Sequence, residues 1–213
     1  SLAHEIRNPL SAVKMNIQIL LKKVEFDGND KRRMEIMSSE ISRLEKILAE
    51  MLDFAKPLRL YLEPTLISNV IDKCLDIIDV KIKEKNLTVK RKYSKRIPWA
   101  MLDRDKLEQA IINVLLNSVE ALLPGGEIEI LSKMEASKGN MIKVEITDNG
   151  PGICDEDLPY VFDPFFSNKK KGTGLGLSNA KKICEAHGGV VNVIAGRQQG
   201  TQCSLLIPVR QNK

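Results

Sequence analysis

The sequence predicts an α-helical hairpin that forms a dimeric four-helix bundle, followed by an α+β sandwich with helices on one face of a mixed sheet. Three observations point there. Residues 1–60 carry two long apolar stripes at helical spacing and no strand signal. Beyond Pro64, helical and strand patterns follow one another without strict alternation. Two glycine clusters, around Gly150 and Gly174, then interrupt the second half.

In the first helix Leu2, Ile6, Leu10, Val13, Ile17, Leu20 and Val24 fall on one stripe. Asp27-Gly28-Asn29, within Glu25–Asp30, marks the turn that follows. In the second helix Met34, Met37, Ile41, Leu44, Leu48, Met51, Ala55 and Leu58 recur at spacings of three and four, a heptad seam. Charged residues such as Glu35, Arg43, Glu45 and Glu50 flank it. One hairpin cannot bury both seams, whereas hairpins from two chains can, so the pattern predicts a homodimer. Packing of the seam against the rest of the same chain is the competing expectation. Lys56-Pro57 ends the second helix, since the residue before a proline resists helical dihedrals. The first domain is therefore expected over 1–60 and the second over 61–213.

The second region opens with a helix near Leu66–Lys85, then short strands at Thr88–Tyr93 and Trp99–Leu102. A helix at Arg104–Leu123 stops at Pro124-Gly125-Gly126. Strands at Glu127–Lys133 and Ile142–Asp148 precede a loop-rich stretch and a helix at Leu175–Ala186. His187-Gly188-Gly189 ends that helix as a C-cap feature, and strands at Val190–Ile194 and Thr201–Ile207 close the chain.

Composition bounds the function classes. The 213 residues are 43% apolar, enough for a core, yet no apolar run approaches the ~20 residues that cross a bilayer. The longest, Ala110–Leu116, is broken by Asn113. No membrane contact is expected within this stretch, and a cytoplasmic setting is. Because Ser1 is not an initiator methionine, the chain reads as an excised fragment, with any membrane segment upstream. Cys74, Cys154, Cys184 and Cys203 lack metal or C-x-x-C spacing and read as reduced thiols. The net charge of +5 is mild, and no recognition-helix motif accompanies the basic stretch Lys81–Arg96, so no nucleic-acid partner is expected. Lys169–Lys171 adjoin a glycine-rich loop, where positive charge attracts an anionic ligand.

The candidate pocket is built from three motifs. Asn113, Asn117 and Glu120 share one wet stripe of their helix, while Leu107, Ile111, Val114 and Ser118 take a largely apolar one. Two amides four residues apart suit an oxygen-ligated Mg²⁺ that keeps much of its hydration. The strand over 142–148 delivers Asp148 to a glycine turn, where a carboxylate can accept from an exocyclic amine such as adenine's. Gly150 and Gly152 leave room for a ring to approach. Gly172, Gly174 and Gly176 precede a helix, whose N-terminal amides and dipole bind phosphate. A dinucleotide fingerprint would need a strand directly before the first glycine, and Asp163-Pro164-Phe165-Phe166-Ser167 stands there instead.

With these motifs in order, the chain resembles the catalytic core of bacterial sensor histidine kinases over essentially its whole length. Asn113–Asn117 is similar to the family's N box, Asp148–Ile153 to its first glycine box, Phe162–Phe166 to its F box and Gly172–Leu177 to its second glycine box. The resemblance implies a Bergerat ATP-binding fold, with Asn117 on Mg²⁺, Asp148 on adenine, and Thr201 near the adenine. It implies nucleotide contacts along Asn113, Gly150, Gly152, Gly172, Thr173, Gly174, Leu175 and Gly176. Related gyrase and mismatch-repair ATPases carry a general-base glutamate where this chain has Asn113, which cannot act as a base. That difference favours phosphoryl transfer over hydrolysis. The short lid, Ser167–Lys171, resembles that of nitrogen-regulation kinases, with Asn168 departing from their usual threonine and Lys169 as a phosphate contact.

The remaining motif is H-E-I-R-N-P at His4–Pro9, which matches the family's H box. The apolar stripe of its helix is centred nearly opposite His4, so His4, Asn8 and Ser11 line the outward face. An imidazole there is mostly neutral at cellular pH and nucleophilic. Pro9 removes a helical hydrogen bond and permits a bend. Carried over from the family, His4 attacks the γ-phosphorus of Mg²⁺–ATP with Glu5 as acid/base helper, and a response-regulator receiver aspartate takes the phosphoryl group. Asn8 matches the position implicated in orienting water for dephosphorylation of that partner. A Bergerat-fold protein serine kinase and a non-catalytic dimeric scaffold are the alternatives. The first leaves H-E-I-R-N-P unexplained, and the second leaves intact nucleotide motifs without a use.

Overall fold

The structure is a computed structural model that describes residues 2–24, 26, 28–135, 140–169, 172–195 and 200–209, and of residues 2–7 the backbone alone. It divides into two compact units, Ser1–Pro57 and Leu58–Lys213. Asp27 of the expected turn and Lys170 and Lys171 of the lid lie outside the described residues, as do the side chains of His4 and Glu5.

The first unit is a pair of helices, α1 (Leu2–Lys23) and α2 (Gly28–Ala55). α1 runs through Pro9 as one helix, and Lys22 and Lys23 in its last turn suit the negative end of its dipole. α2 ends one residue before Lys56-Pro57, where the dihedral restriction falls. Ile17 is the buried centre of the hairpin, with Leu10, Lys14 and Leu21 partly covered beside it. Glu45 of α2 joins the helices by accepting from Lys14 Nζ at 2.7 Å and Ser11 Oγ at 3.0 Å. The apolar stripe expected of α1 therefore splits, because a helix meeting a single neighbour covers only a narrow strip. Val13, Leu20 and Val24 stay exposed, and in α2 so do Met37, Leu44 and Met51, seven residues apart. Leu58, expected on the seam, packs instead against the core of the second unit.

The second unit opens with β1 (Glu63–Thr65) and α3 (Ile67–Glu84), then β2 (Thr88–Tyr93), β3 (Ala100–Leu102) and α4 (Arg104–Ala121). β4 (Glu127–Glu135), β5 (Met141–Asp148), a 3₁₀ turn at Leu158–Tyr160, α5 (Gly176–Ala186), β6 (Val190–Ala195) and β7 (Thr201–Pro208) complete it. Five strands form a mixed sheet in the order β2-β4-β5-β7-β6, parallel only between β2 and β4. β1 and β3 make a separate antiparallel pair. Burial alternates residue by residue along β4 and β5, so only one face is covered, as an antiparallel sheet beneath a helix layer requires. Ile128, Ile130, Ile142, Val144 and Ile146 supply that face, and Ile67, Ile71, Leu107, Ile111, Leu115 and Ile183 supply the helices above it. Each fully buried aliphatic of this kind contributes about 1.5–3 kcal/mol of transfer free energy. Among the described residues no helix is long and apolar enough to cross a membrane.

Three polar fixtures hold α4 in place. Asp103 caps its N-terminus, accepting from Lys106 N at 3.0 Å and from Tyr61 N at 2.8 Å. The Asp103 amide donates to His187 Nε2 at 3.1 Å, while His187 Nδ1 lies 2.8 Å from the Ile183 carbonyl. An imidazole that accepts at Nε2 and donates at Nδ1 is neutral, so His187 is a structural tie between the end of α5 and the start of α4. At the other end, Lys85 Nζ donates to the carbonyls of Val119, Glu120 and Leu122, at 2.8, 3.3 and 2.8 Å. A cation on the last carbonyls of a helix complements its dipole.

Candidate nucleotide site

The site gathers on the sheet-facing and lid-facing sides of α4. Asp148 is the last residue of β5 and shares the inward parity of Ile142, Val144 and Ile146, so its carboxylate is carried into the interior and is 4% exposed. Three donors meet it there. Ser118 Oγ of α4 donates to Oδ2 at 2.9 Å, and the Gly150 and Thr201 amides donate to Oδ1 at 3.0 and 3.2 Å. A carboxylate has about four acceptor positions, so one remains for a ligand's N–H.

Glycines make this approach possible. Gly152 has φ +82°, a turn conformation that side chains rarely adopt. Gly200 packs so closely on Asp148 that a methyl on it would come within 2.7 Å of the Asp148 carbonyl carbon. Asn149 fastens the same turn to β4, its Oδ1 accepting from Glu127 N at 2.8 Å. A cavity of about 530 Å³ opens beside it, lined by Ala121, Leu122, Pro124, Gly126, Asn149 and Gly150 among others.

On a neighbouring face of α4, Gly176 begins α5 against the N-box amides, and a methyl there would lie 3.7 Å from Asn117 Nδ2 and 3.9 Å from Asn113 Cβ. Leu175, the N-cap residue, is buried and supplies no side-chain hydrogen bond to the first amides of α5. Gly174, at φ +69°, receives the Phe165 amide on its carbonyl at 3.1 Å, which joins the F box to the second glycine box. The lid turn is closed by two bonds, Gly172 N to Lys169 O and Lys169 N to Ser167 Oγ, each 3.2 Å. Thr173 and Thr201 are partly exposed. Lys169 Nζ reaches back to Asn117 Oδ1 at 2.9 Å and Glu120 Oε2 at 2.8 Å.

The donor set fits a hard divalent cation. The oxygens of Asn117 and Glu120 already draw an ammonium, a stand-in positive charge, onto the wet face of α4. Among the described residues no cluster of three His, Cys, Asp or Glu side chains offers a fully protein-made metal site. A metal here would share Asn117 with phosphate oxygens and water, the habit of Mg²⁺.

The structure thus brings together Asn113, Asn117, Asp148, Gly150, Gly172, Gly174, Gly176, Lys169 and Thr201 within one unit. Asn8 is exposed on α1 in the other unit, with His4 and Glu5 one turn before it along the same helix. Ser11, three residues on, is exposed but tied to Glu45. Sequence reasoning passed over Ser118, Asn149 and Gly200. A lone hydroxyl on an apolar stripe is the only sign for Ser118, while Asn149 stands inside the first glycine box and Gly200 directly precedes Thr201 in its motif.

Residues 102–211 match the family described as "Histidine kinase-, DNA gyrase B-, and HSP90-like ATPase", and residues 1–58 match the "His Kinase A (phospho-acceptor) domain". Sensor histidine kinase ZraS of Escherichia coli (strain K12) is 30% identical over 207 residues, 97% of this chain and 44% of that protein. The solved complex of histidine kinase ThkA with response regulator protein TrrA aligns with TM-score 0.74 at 28% identity, over 98% of this chain and 60% of that one. Full-length ShkA in complex with AMPPNP aligns with TM-score 0.80 over 99% of this chain and 45% of that one, and at 22% identity the likeness is one of fold. The chain spans less than half the length of the ZraS relatives it matches.

Proposed function

Because the chain belongs to the sensor histidine kinases, with a phospho-acceptor region ahead of the family's ATPase domain, we propose that it autophosphorylates His4 from Mg²⁺–ATP and passes the phosphoryl group to an aspartate of a response-regulator receiver domain. The observation that carries this reading is the convergence of Asp148, Asn117 and the start of α5 on neighbouring faces of one helix.

Each of these groups has a task. The free acceptor position of Asp148 takes the exocyclic amine of adenine, while Ser118, Gly150 and Thr201 hold the carboxylate still. The uncapped first amides of α5 face the phosphates, aided by the helix dipole. Asn117 would hold a Mg²⁺, which when bound would supply charge neutralisation on the phosphates. Lys169 supplies a further cation from the lid. His4 is the nucleophile: its ring nitrogen forms a bond to the γ-phosphorus as the bond to the ADP oxygen breaks, and Glu5 takes the ring proton. Asn113, an amide, cannot activate water, which protects the nucleotide from hydrolysis. Catalysis is then positioning and charge neutralisation.

The relative ThkA is seen with a response regulator, which supports a receiver domain as the partner. Exposed apolar residues on both helices of the hairpin support a homodimer. Asn8, exposed one turn after His4, supports a second activity, dephosphorylation of the same regulator. The core works in the cytoplasm, where its nucleotide is. Incubation with γ-labelled ATP and a receiver domain tests the whole sequence. Label is expected first on the kinase, acid-labile and alkali-stable, and then on the receiver. Alkali-labile or acid-stable label on the kinase would favour the serine-kinase reading.

A further inference from the structure

Glu120 has no role in the proposed reaction, yet it stands on the wet stripe of α4 with Asn113 and Asn117, three residues beyond the second amide. Its carboxylate shares the Lys169 ammonium with Asn117, and beside a triphosphate held at that amide an uncompensated carboxylate would be an electrostatic liability. It is not alone. Lys169 Nζ lies 2.8 Å from Glu120 Oε2 and 2.9 Å from Asn117 Oδ1, so one ammonium covers both the carboxylate and the amide oxygen. The lid backbone around Lys169 is fastened at Ser167 and Gly172, which leaves the side chain as the part free to change partners.

We propose that Glu120 is a positioning residue that parks the Lys169 ammonium on Asn117 in the nucleotide-free protein, and that Mg²⁺–nucleotide binds by displacing it. This rests on the reading of Asn117 as the metal-holding amide. The physical case is a competition for one oxygen. A neutral amide oxygen alone holds an ammonium weakly, and the adjacent carboxylate adds the charge that keeps it there. When metal and phosphates arrive, Mg²⁺ takes Asn117 Oδ1 and the ammonium moves to a phosphate oxygen, so the same lysine serves both states. The exchange keeps positive charge on the site throughout, shielding Glu120 from the anionic nucleotide. The pair is half exposed, with side-chain exposures of 37% and 50%, so the hold is weak enough to release.

Two measurements test this, the first on the unsubstituted chain and Glu120→Gln, the second on these with Lys169→Met and the double variant. The first uses no nucleotide. Acylation of Lys169 by an amine-reactive ester, followed by mass spectrometry with Lys46 as internal reference, should run about two- to fivefold faster in Glu120→Gln, the scale of an exposed ion pair. The second is titration with a fluorescent ATP analogue in Mg²⁺. Glu120→Gln should tighten binding by about two- to fivefold when Lys169 is present and by less in the Lys169→Met background, where only relief of repulsion is left. Equal tightening in both backgrounds would mean simple repulsion between Glu120 and phosphate, and would overturn the proposal. So would an unchanged acylation rate. If acylation responds but no protein binds the analogue, the contact stands while the Mg²⁺–ATP reading and the displacement step both fail.

Discussion

Ser118 Oγ donates to Asp148 Oδ2 across 2.9 Å, and both residues are about 95% buried. A helix and a strand thirty positions apart in the chain are thereby locked at the floor of the nucleotide site. Asp148→Asn replaces an acceptor with an amide donor, either against Ser118 or against the adenine amine. ATP affinity by calorimetry is expected to fall about tenfold or more, while Ser118→Ala costs about 1–3 kcal/mol of stability by leaving a buried oxygen short of a donor. Unchanged affinity in Asp148→Asn would remove this carboxylate from adenine recognition.

Backbone approach is the second constraint. Gly200→Ala would drive a methyl into the Asp148 backbone, and Gly174→Ala would combine φ +69° with a methyl 2.7 Å from Phe165 Cα. Urea unfolding should show each variant destabilised by about 1–3 kcal/mol or more, the range of backbone strain with overpacking. Gly28→Ala meets open space and serves as the control, with little change expected.

The thiols differ sharply in reactivity. Burial pushes Cys74, Cys184 and Cys203 up to about 12, so they hold almost no thiolate at pH 8. Cys154 is exposed, and its thiol is raised by the hydrogen bond it donates to Asp157 Oδ2 at 2.7 Å. Iodoacetamide at pH 8 should therefore label Cys154 first in the folded protein. Asp157→Asn removes the anionic acceptor, increases the thiolate fraction and should speed labelling. Labelling of the other three at a similar rate would contradict the buried core.

The hairpin leaves Met37, Leu44 and Met51 exposed on α2 and Val13 and Leu20 exposed on α1. If these faces meet in a second copy, Leu44→Glu should shift light scattering from dimer toward monomer at micromolar concentration. Burying one such leucine is worth about 2 kcal/mol per chain. A monomeric unsubstituted chain would contradict the four-helix bundle.

Periodic segments were legible in the sequence, and contact-made ones were not. β2 was expected at Thr88–Tyr93 and lies there, because its pattern is local. β1 was missed, since Glu63-Pro64-Thr65 is too short to alternate and exists only by pairing with β3. α4 ends at Ala121, before the expected Leu123, and Lys85, the residue that closes α3, covers its last carbonyls. The same division runs through the site. Asp148 and the glycines announce themselves by motif. The donors that fix Asp148, and the partners of Lys169, come from elsewhere in the chain and carry no local signature. His187 read as a helix cap is indeed the C-cap of α5, although its bond to the Asp103 amide had no sign in the sequence.

The most direct test is where the phosphorus goes. Purified protein incubated with Mg²⁺ and γ-labelled ATP, then digested under alkaline conditions, should yield one phosphopeptide carrying the group on His4. Label should vanish in His4→Gln while binding of an ATP analogue persists. Label retained in His4→Gln, or mapped to any residue other than His4, would contradict the assignment.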